Sequence, residues 1–197
     1  MQSLLILGRQ PALGLAELES LYGAAKLRPA GRKAVIVDVD PCLLAFDRLG
    51  GAVKFAKVLA ELNTTDWQEI STFLAQAAPG HSRAMPPGKM HLGVSSYDFE
   101  KTPKEVQRLA IELKSAIRTT GRSVRVVPNN ANELSSAQVT HSRLTTDNGW
   151  ELLLIRDRAR TIIGQTVKVQ DIASYARRDQ ARPARDPKVG MLPPKLA

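Results

Sequence analysis

Apolar positions recur along the chain with two periods, and the switches between them mark where elements start and stop. Residues 3–7 (SLLIL) run apolar up to Gly8, and Pro11 stands where a first helical turn would begin, which predicts a strand and then a helix. Leu15, Leu18, Leu21 and Tyr22 repeat at steps of three and four or follow directly, and Gly23 closes the helix predicted over 12–22. Residues 33–40 (KAVIVDVD) are valine-rich and end in alternation, 41–49 read as a short helix stopped by Gly50–Gly51, and 52–62 begin as a strand.

With one more strand around 25–28, residues 1–62 follow the order β-α-β-β-α-β. That order is the split βαβ, or ferredoxin-like, plan. The pattern restarts after Asn63–Thr65. A helix is predicted over 66–78, and Pro79–Gly80 with Pro86–Pro87–Gly88 marks a loop. A strand at 90–95, a long helix at 103–120, a strand at 123–127, a helix at 133–144 and strands at 150–155 and 161–169 complete a second α/β layer over 63–168. Periodicity disappears from Tyr175, and four of the twelve prolines fall between Pro183 and Pro194, so 169–197 read as an extended basic arm. The expected class is α+β: a ferredoxin-like unit, a second α/β unit, and the arm.

Composition narrows the function classes. Hydrophobic residues make up 43% and charged residues 24%, within the ordinary globular range. The longest apolar runs, Leu4 to Leu7 and Leu152 to Ile155, are too short to span a bilayer, and no signal peptide is evident, so a cytoplasmic protein without a membrane partner is expected. Cys42 is the single cysteine, and the histidines at 81, 91 and 141 lack metal-ligand spacing. The net charge of +9 favours a polyanion, RNA or DNA first. It is spread as +2 over 1–62 (8 basic, 6 acidic), +4 over 63–168 (14 and 10) and +3 over 169–197 (6 and 3), densest in the arm.

Two stretches concentrate that charge. At 100° per residue, Val106, Leu109, Ala110, Leu113, Ala116 and Ile117 occupy one arc of about 120° of the 103–120 helix, and Lys104, Arg108, Lys114 and Arg118 the opposite arc. Arg122 and Arg125 lie just beyond. Such a stripe is either a solvated face or a surface for RNA phosphates. In the arm, Arg177, Arg178, Arg182, Arg185, Lys188 and Lys195 are spaced by prolines and aspartates, suited to phosphate contact or to pairing with Asp179 and Asp186.

Catalytic signatures are missing from the sequence. Pro193–Pro194 is flanked by Leu192 and Lys195, where an amine-holding Asn/Asp-Pro-Pro-aromatic motif needs an acid or amide and a ring. There is no G-x-G-x-x-G or Walker pattern. His141 near Ser135, Ser136 and Thr140 reads as ordinary helix surface, Asn129, Asn130 and Asn132 as turn and cap residues, with RNA contact as the alternative, and Cys42 as a small buried side chain.

The C-terminal third is more specific than its composition. The run QTVKVQDIASYARRDQARPARDPKVGMLPPKLA, carried by Gln170–Asp171, Tyr175, Arg178–Asp179, Arg182–Pro183, Arg185–Asp186 and residues 190–197, resembles the segment joining the RNA-binding and catalytic halves of THUMP-containing tRNA guanosine-N2 methyltransferases. LLILGRQPALGLAELESL, GGAVKFAKVL and ELSSAQVTHSRL are similar to other parts of the same family. The resemblance implies a ferredoxin-like domain (1–62), a tRNA-binding THUMP domain (63–168) and a linker (169–197), ahead of a catalytic domain that uses S-adenosylmethionine. The chain stops at Ala197, before that domain's motifs, so no catalytic, cofactor or metal residue carries over and no activity is expected from this chain alone. The expected role is to hold tRNA, or another structured RNA, for a methyltransferase domain or subunit. The alternatives are a free-standing RNA-binding or scaffold protein and an enzyme acting on nucleotides through an unrecognised site.

Overall fold

Strands of 3 to 11 residues, many rich in leucine, isoleucine and valine, pair into one mixed sheet. The structure, a computed structural model, describes residues 2–180. Its strands are β1 (Ser3–Leu7), β2 (Leu27–Ala30), β3 (Ala34–Val37), β4 (Ala52–Leu62), β5 (Met90–Tyr97), β6 (Val124–Val126), β7 (Gly149–Asp157) and β8 (Arg160–Val169). The helices are α1 (Pro11–Tyr22), α2 (Trp67–Ala84), α3 (Pro103–Arg118), α4 (Ser136–His141) and α5 (Ile172–Gln180). The eight strands lie in the order β2-β3-β1-β4-β8-β7-β5-β6. Every neighbouring pair is antiparallel except β5 with β6 and with β7, which are parallel and need the α3 and α4 crossovers. The sheet runs unbroken through residue 62, because β4 pairs with β8 from Lys54↔Val169 to Leu62↔Thr161.

Helices cover the outer face. Leu18 of α1 packs on Leu5, Leu7, Val35, Val37 and Phe55, while α2 (Ile70, Leu74, Ala78) and α3 (Val106, Leu109, Leu113, Ile117) pack on Leu92, Val94, Trp150, Leu152 and Leu154. The inner face is closed by the strands themselves and, over β5, by α4 with its flanking Leu134 and Leu144. Leu4, Ile6 and Ile36 share a buried cluster with Leu153, Ile155 and Ile162, so the twisted sheet coils until its two halves meet. The β2–β3 turn fastens that closure. Gly31, at φ 58°, donates its N–H to Asp157 Oδ1 at 3.3 Å, and the Arg32 N–H reaches Asp98 Oδ2 at 2.8 Å.

Four expected elements differ. Residues 41–49 form two 3-10 turns, Pro41–Leu43 and Phe46–Arg48, in place of a short helix. The buried Leu44, Phe46 and Leu49 follow at steps of two and three rather than keeping a helical repeat, and extended backbone at Leu44 and Leu49 turns them inward. The helix α2 continues through Pro79 where a loop was expected, because Ile70, Leu74, Ala78 and Ser82 form one buried row that extends past the proline. Of the helix expected over 133–144, only Ser136–His141 is helical. Residues 172–180 form α5 instead of extended arm, started by Asp171, whose carboxylate accepts the Ser174 N–H at 2.9 Å. Cys42 is exposed rather than buried.

Candidate nucleic-acid interface

The α3 helix is anchored from its first turn. Thr102 caps it reciprocally: its hydroxyl accepts the Glu105 N–H at 3.3 Å, and Glu105 accepts the Thr102 N–H at 2.8 Å. The Thr102 backbone N–H, then its hydroxyl and the Lys101 ammonium, hold the Glu105 carboxyl at about 2. Because that value lies below the ordinary 4.5, the capping contribution is complete above pH ~4.5 and fades as pH falls toward ~2. An NMR titration is expected to place the Glu105 midpoint near 2, and Thr102→Ala to move it up toward 4.5. A midpoint near 4.5 in the parent protein would contradict the cap geometry.

One face of α3 is sealed, since Val106, Leu109, Ala110, Leu113 and Ile117 are at most 1% exposed. The opposite face carries Lys104, Arg108 and Arg118 exposed and Lys114 half-buried, as the helical spacing predicts. Along 14 residues the four cations span about 21 Å. None of them pairs with a carboxylate among the described residues. Arg125 is exposed on β6, the edge strand beside α3. Two grooves flank the helix. One of about 650 Å³ is lined by Lys104, Arg108, the exposed Ile111, Glu112 and Asn129. The other, about 640 Å³, is lined by Lys89, Lys114, Arg118, Arg122 and Arg125, with no carboxylate among the described residues.

Arg122 differs from its neighbours. Its guanidinium donates to the carbonyls of Ser82, Gly88 (3.1 Å) and Pro86 (2.6 Å) and to Asn148 Oδ1 (2.7 Å). Lys89 belongs to the groove but carries no sequence signal of its own, being an isolated lysine next to Gly88.

The remaining sequence candidates lie elsewhere. α3 and α4 occupy opposite faces of β5: Leu92 and Val94 pack with α3, whereas a Cβ on Gly93 would meet Leu134 and Leu144 at 2.6 Å. α5 starts beside α4, so Arg177, exposed and 3.8 Å from Asp171, is not gathered with the α3 cations. Arg178 lies on α5 as well, while Arg182, Arg185, Lys188 and Lys195 lie outside the described residues. Asn129 and Asn132 tie loops, donating to Val94 O (2.9 Å) and Lys101 O (2.7 Å), and Ser135 rather than an asparagine caps α4. Ser135 is spent on its cap and Ser136 donates to Val53 O, so neither is poised on His141.

A further concavity of about 570 Å³ is lined by Lys57, His81, Thr146, Asp147 and Gln165. His81 lies against Trp150 with ring centroids 4.2 Å apart, and burial, then the Lys57 charge, lowers its pKa. It therefore favours the neutral imidazole. Among the described residues no group of three or more His, Cys, Asp or Glu side chains could hold a metal, and no helix is long and apolar enough to cross a membrane.

No protein-family model matches the chain, and no curated protein does. Among solved structures the chain is similar to TrmN from Thermus thermophilus, at 14% identity and TM-score 0.52, covering 86% of this chain and 46% of that one. It also aligns with a 4-thiouridine synthetase crystallised with RNA and ATP, at 12% identity and TM-score 0.47, covering 86% of this chain and 41% of the other. The chain thus spans less than half the length of either. The likeness to TrmN is one of fold.

Proposed function

We propose that this chain is an RNA-binding module, one that grips tRNA through phosphate contacts and holds it for a methyltransferase domain or subunit. The carrying observation is the cationic face of α3, unpaired among the described residues and set on a capped helix whose other face is buried. A rigid row of cations costs little ordering on binding, and each phosphate it neutralises releases counterions. Such contacts recognise shape and charge rather than base sequence.

In this reading residues 1–62 are the ferredoxin-like unit. The order β4-β1-β3-β2, antiparallel throughout with α1 between β1 and β2, supports it, although 3-10 turns stand where the second helix would be. Residues 63–168 are the THUMP-like unit, and the sheet joins the two. The basic residues of 177–195 add charge on the way to a catalytic domain. S-adenosylmethionine belongs to that other domain: the turn between β5 and α3, residues 98–102, has no glycine to cradle the cofactor, and no residue of this chain is assigned to it.

Ultraviolet crosslinking to tRNA followed by peptide mass spectrometry tests this reading. Crosslinks are expected between residues 104 and 125. Crosslinks confined to α1 and the 3-10 turns, or none at all, would overturn it.

A further inference from the structure

The groove between the C-terminal end of α3 and β6 places cations from three elements around one concavity: Lys89 from the loop before β5, Lys114 and Arg118 from α3, and Arg125 from β6. We infer that this groove is the anchoring point for consecutive phosphodiesters of one RNA strand, bound by Lys89, Lys114, Arg118 and Arg125, and that Arg122 is a positioning residue that sets Lys89. The inference rests on the RNA-binding reading and locates its tightest contact.

Arg122 has five N–H donors, and four bonds to protein acceptors occupy its guanidinium. Ser82 lies in the last turn of α2, where its carbonyl takes only a long bond from the Met85 N–H (3.4 Å) and the helix dipole is negative, so the Arg122 cation caps α2 and offsets a charge that would repel phosphate. The same fork holds the carbonyls of Pro86 and Gly88. Gly88 takes φ 127°, a conformation side chains rarely adopt, and Met90 donates its N–H to Ser123 O at 2.9 Å. Lys89 is thus pinned on both sides, by the Arg122 clamp and by the start of β5. Its side chain is exposed and, among the described residues, meets no carboxylate that would compete with phosphate.

The test is fluorescence anisotropy of labelled tRNA against the full chain, over a salt series, with Lys89→Gln, Arg122→Gln, Arg122→Lys, the Lys89→Gln/Arg122→Gln double and Arg108→Gln as a variant outside the groove. Lys89→Gln alters one exposed side chain, and is expected to weaken binding about 3- to 10-fold and to flatten the log–log salt slope by about 0.7–0.9. Arg122→Gln is expected to abolish the effect of Lys89→Gln, leaving the double within about 2-fold of Arg122→Gln, since Lys89 is no longer held. Arg122→Lys keeps the charge but not the planar fork, so it should behave like Arg122→Gln; full rescue by lysine would make Arg122 a plain charge contact and overturn its positioning role. Parental affinity and slope for Lys89→Gln, with Arg108→Gln weakened, would overturn the groove while leaving RNA binding in place. Parental behaviour in every variant would overturn both. Melting curves of the Arg122 variants keep a folding defect separate, and Lys89→Gln decides the groove without them.

Discussion

Glu151→Leu is expected to lower unfolding stability by about 3–5 kcal/mol, because it strands a buried ammonium. Glu151 is 0% exposed and lies on β7, where it accepts from Ser95 Oγ and Thr166 Oγ1, each at 2.6 Å, and from Lys54, whose side chain is only 3% exposed. These four residues sit side by side on β4, β8, β7 and β5, on the inner face of the sheet. Ser95 also accepts the Leu134 N–H at 2.9 Å, which ties the approach to α4 into the same network. Without Glu151, Lys54 keeps only a long contact to Ser95 Oγ (3.4 Å) and the Tyr97 ring 5.9 Å away. Lys54→Met combined with Glu151→Leu removes both charges and should recover most of the loss. Urea denaturation measures both variants, and a single-variant loss under about 1 kcal/mol would contradict the network's role. The Tyr97 hydroxyl, raised well above its ordinary value by burial and then by Glu151 and Glu133, stays protonated beside this pair.

The second expected result concerns affinity. Replacing Lys104, Arg108, Lys114 and Arg118 together by glutamine should weaken tRNA binding by about 100-fold or more at ~50 mM salt, as four phosphate contacts disappear. The fold should survive. These side chains lie opposite the buried arc, and surface substitutions of this kind cost within about 0.5 kcal/mol each. Anisotropy titration beside a melting curve checks both halves. Unchanged affinity would return the stripe to simple solvation.

Much of the architecture was readable in the sequence because it is local. The valine-rich run within 33–40 is a local strand signal and the arc through Val106, Leu109, Leu113 and Ile117 a local helix face; the first forms a strand over Ala34–Val37, buried on both faces, and the second forms the helix Pro103–Arg118. What depends on distant partners was not readable. The pairing of β4 with β8 joins segments a hundred residues apart, so the continuous sheet cannot be seen in either segment. Pro79 reads as a breaker until the buried row through Ala78 and Ser82 is known. Glu151 interrupts an apolar run, WELLLI, which was the one hint of a buried partner, but nothing near it points to Lys54.

The candidate site divides along the same line. Four cations at helical spacing announce a face, whereas Arg122 looks like one more cation until the carbonyls of residues 82, 86 and 88 surround it. Lys89 joins the groove only through folding. The arm's first residues lack apolar periodicity, yet Asp171 starts α5 by capping rather than by burial, a signal that charge counting passes over.

The most direct measurement of phosphate-led RNA recognition is the salt dependence of tRNA binding by the parent protein and the fourfold glutamine variant. Parental log K should fall steeply with log salt, and the variant's slope should be shallower by about 3, as expected for roughly 0.7–0.9 per lost phosphate contact. Parallel slopes, or a parent whose affinity ignores salt, would contradict it.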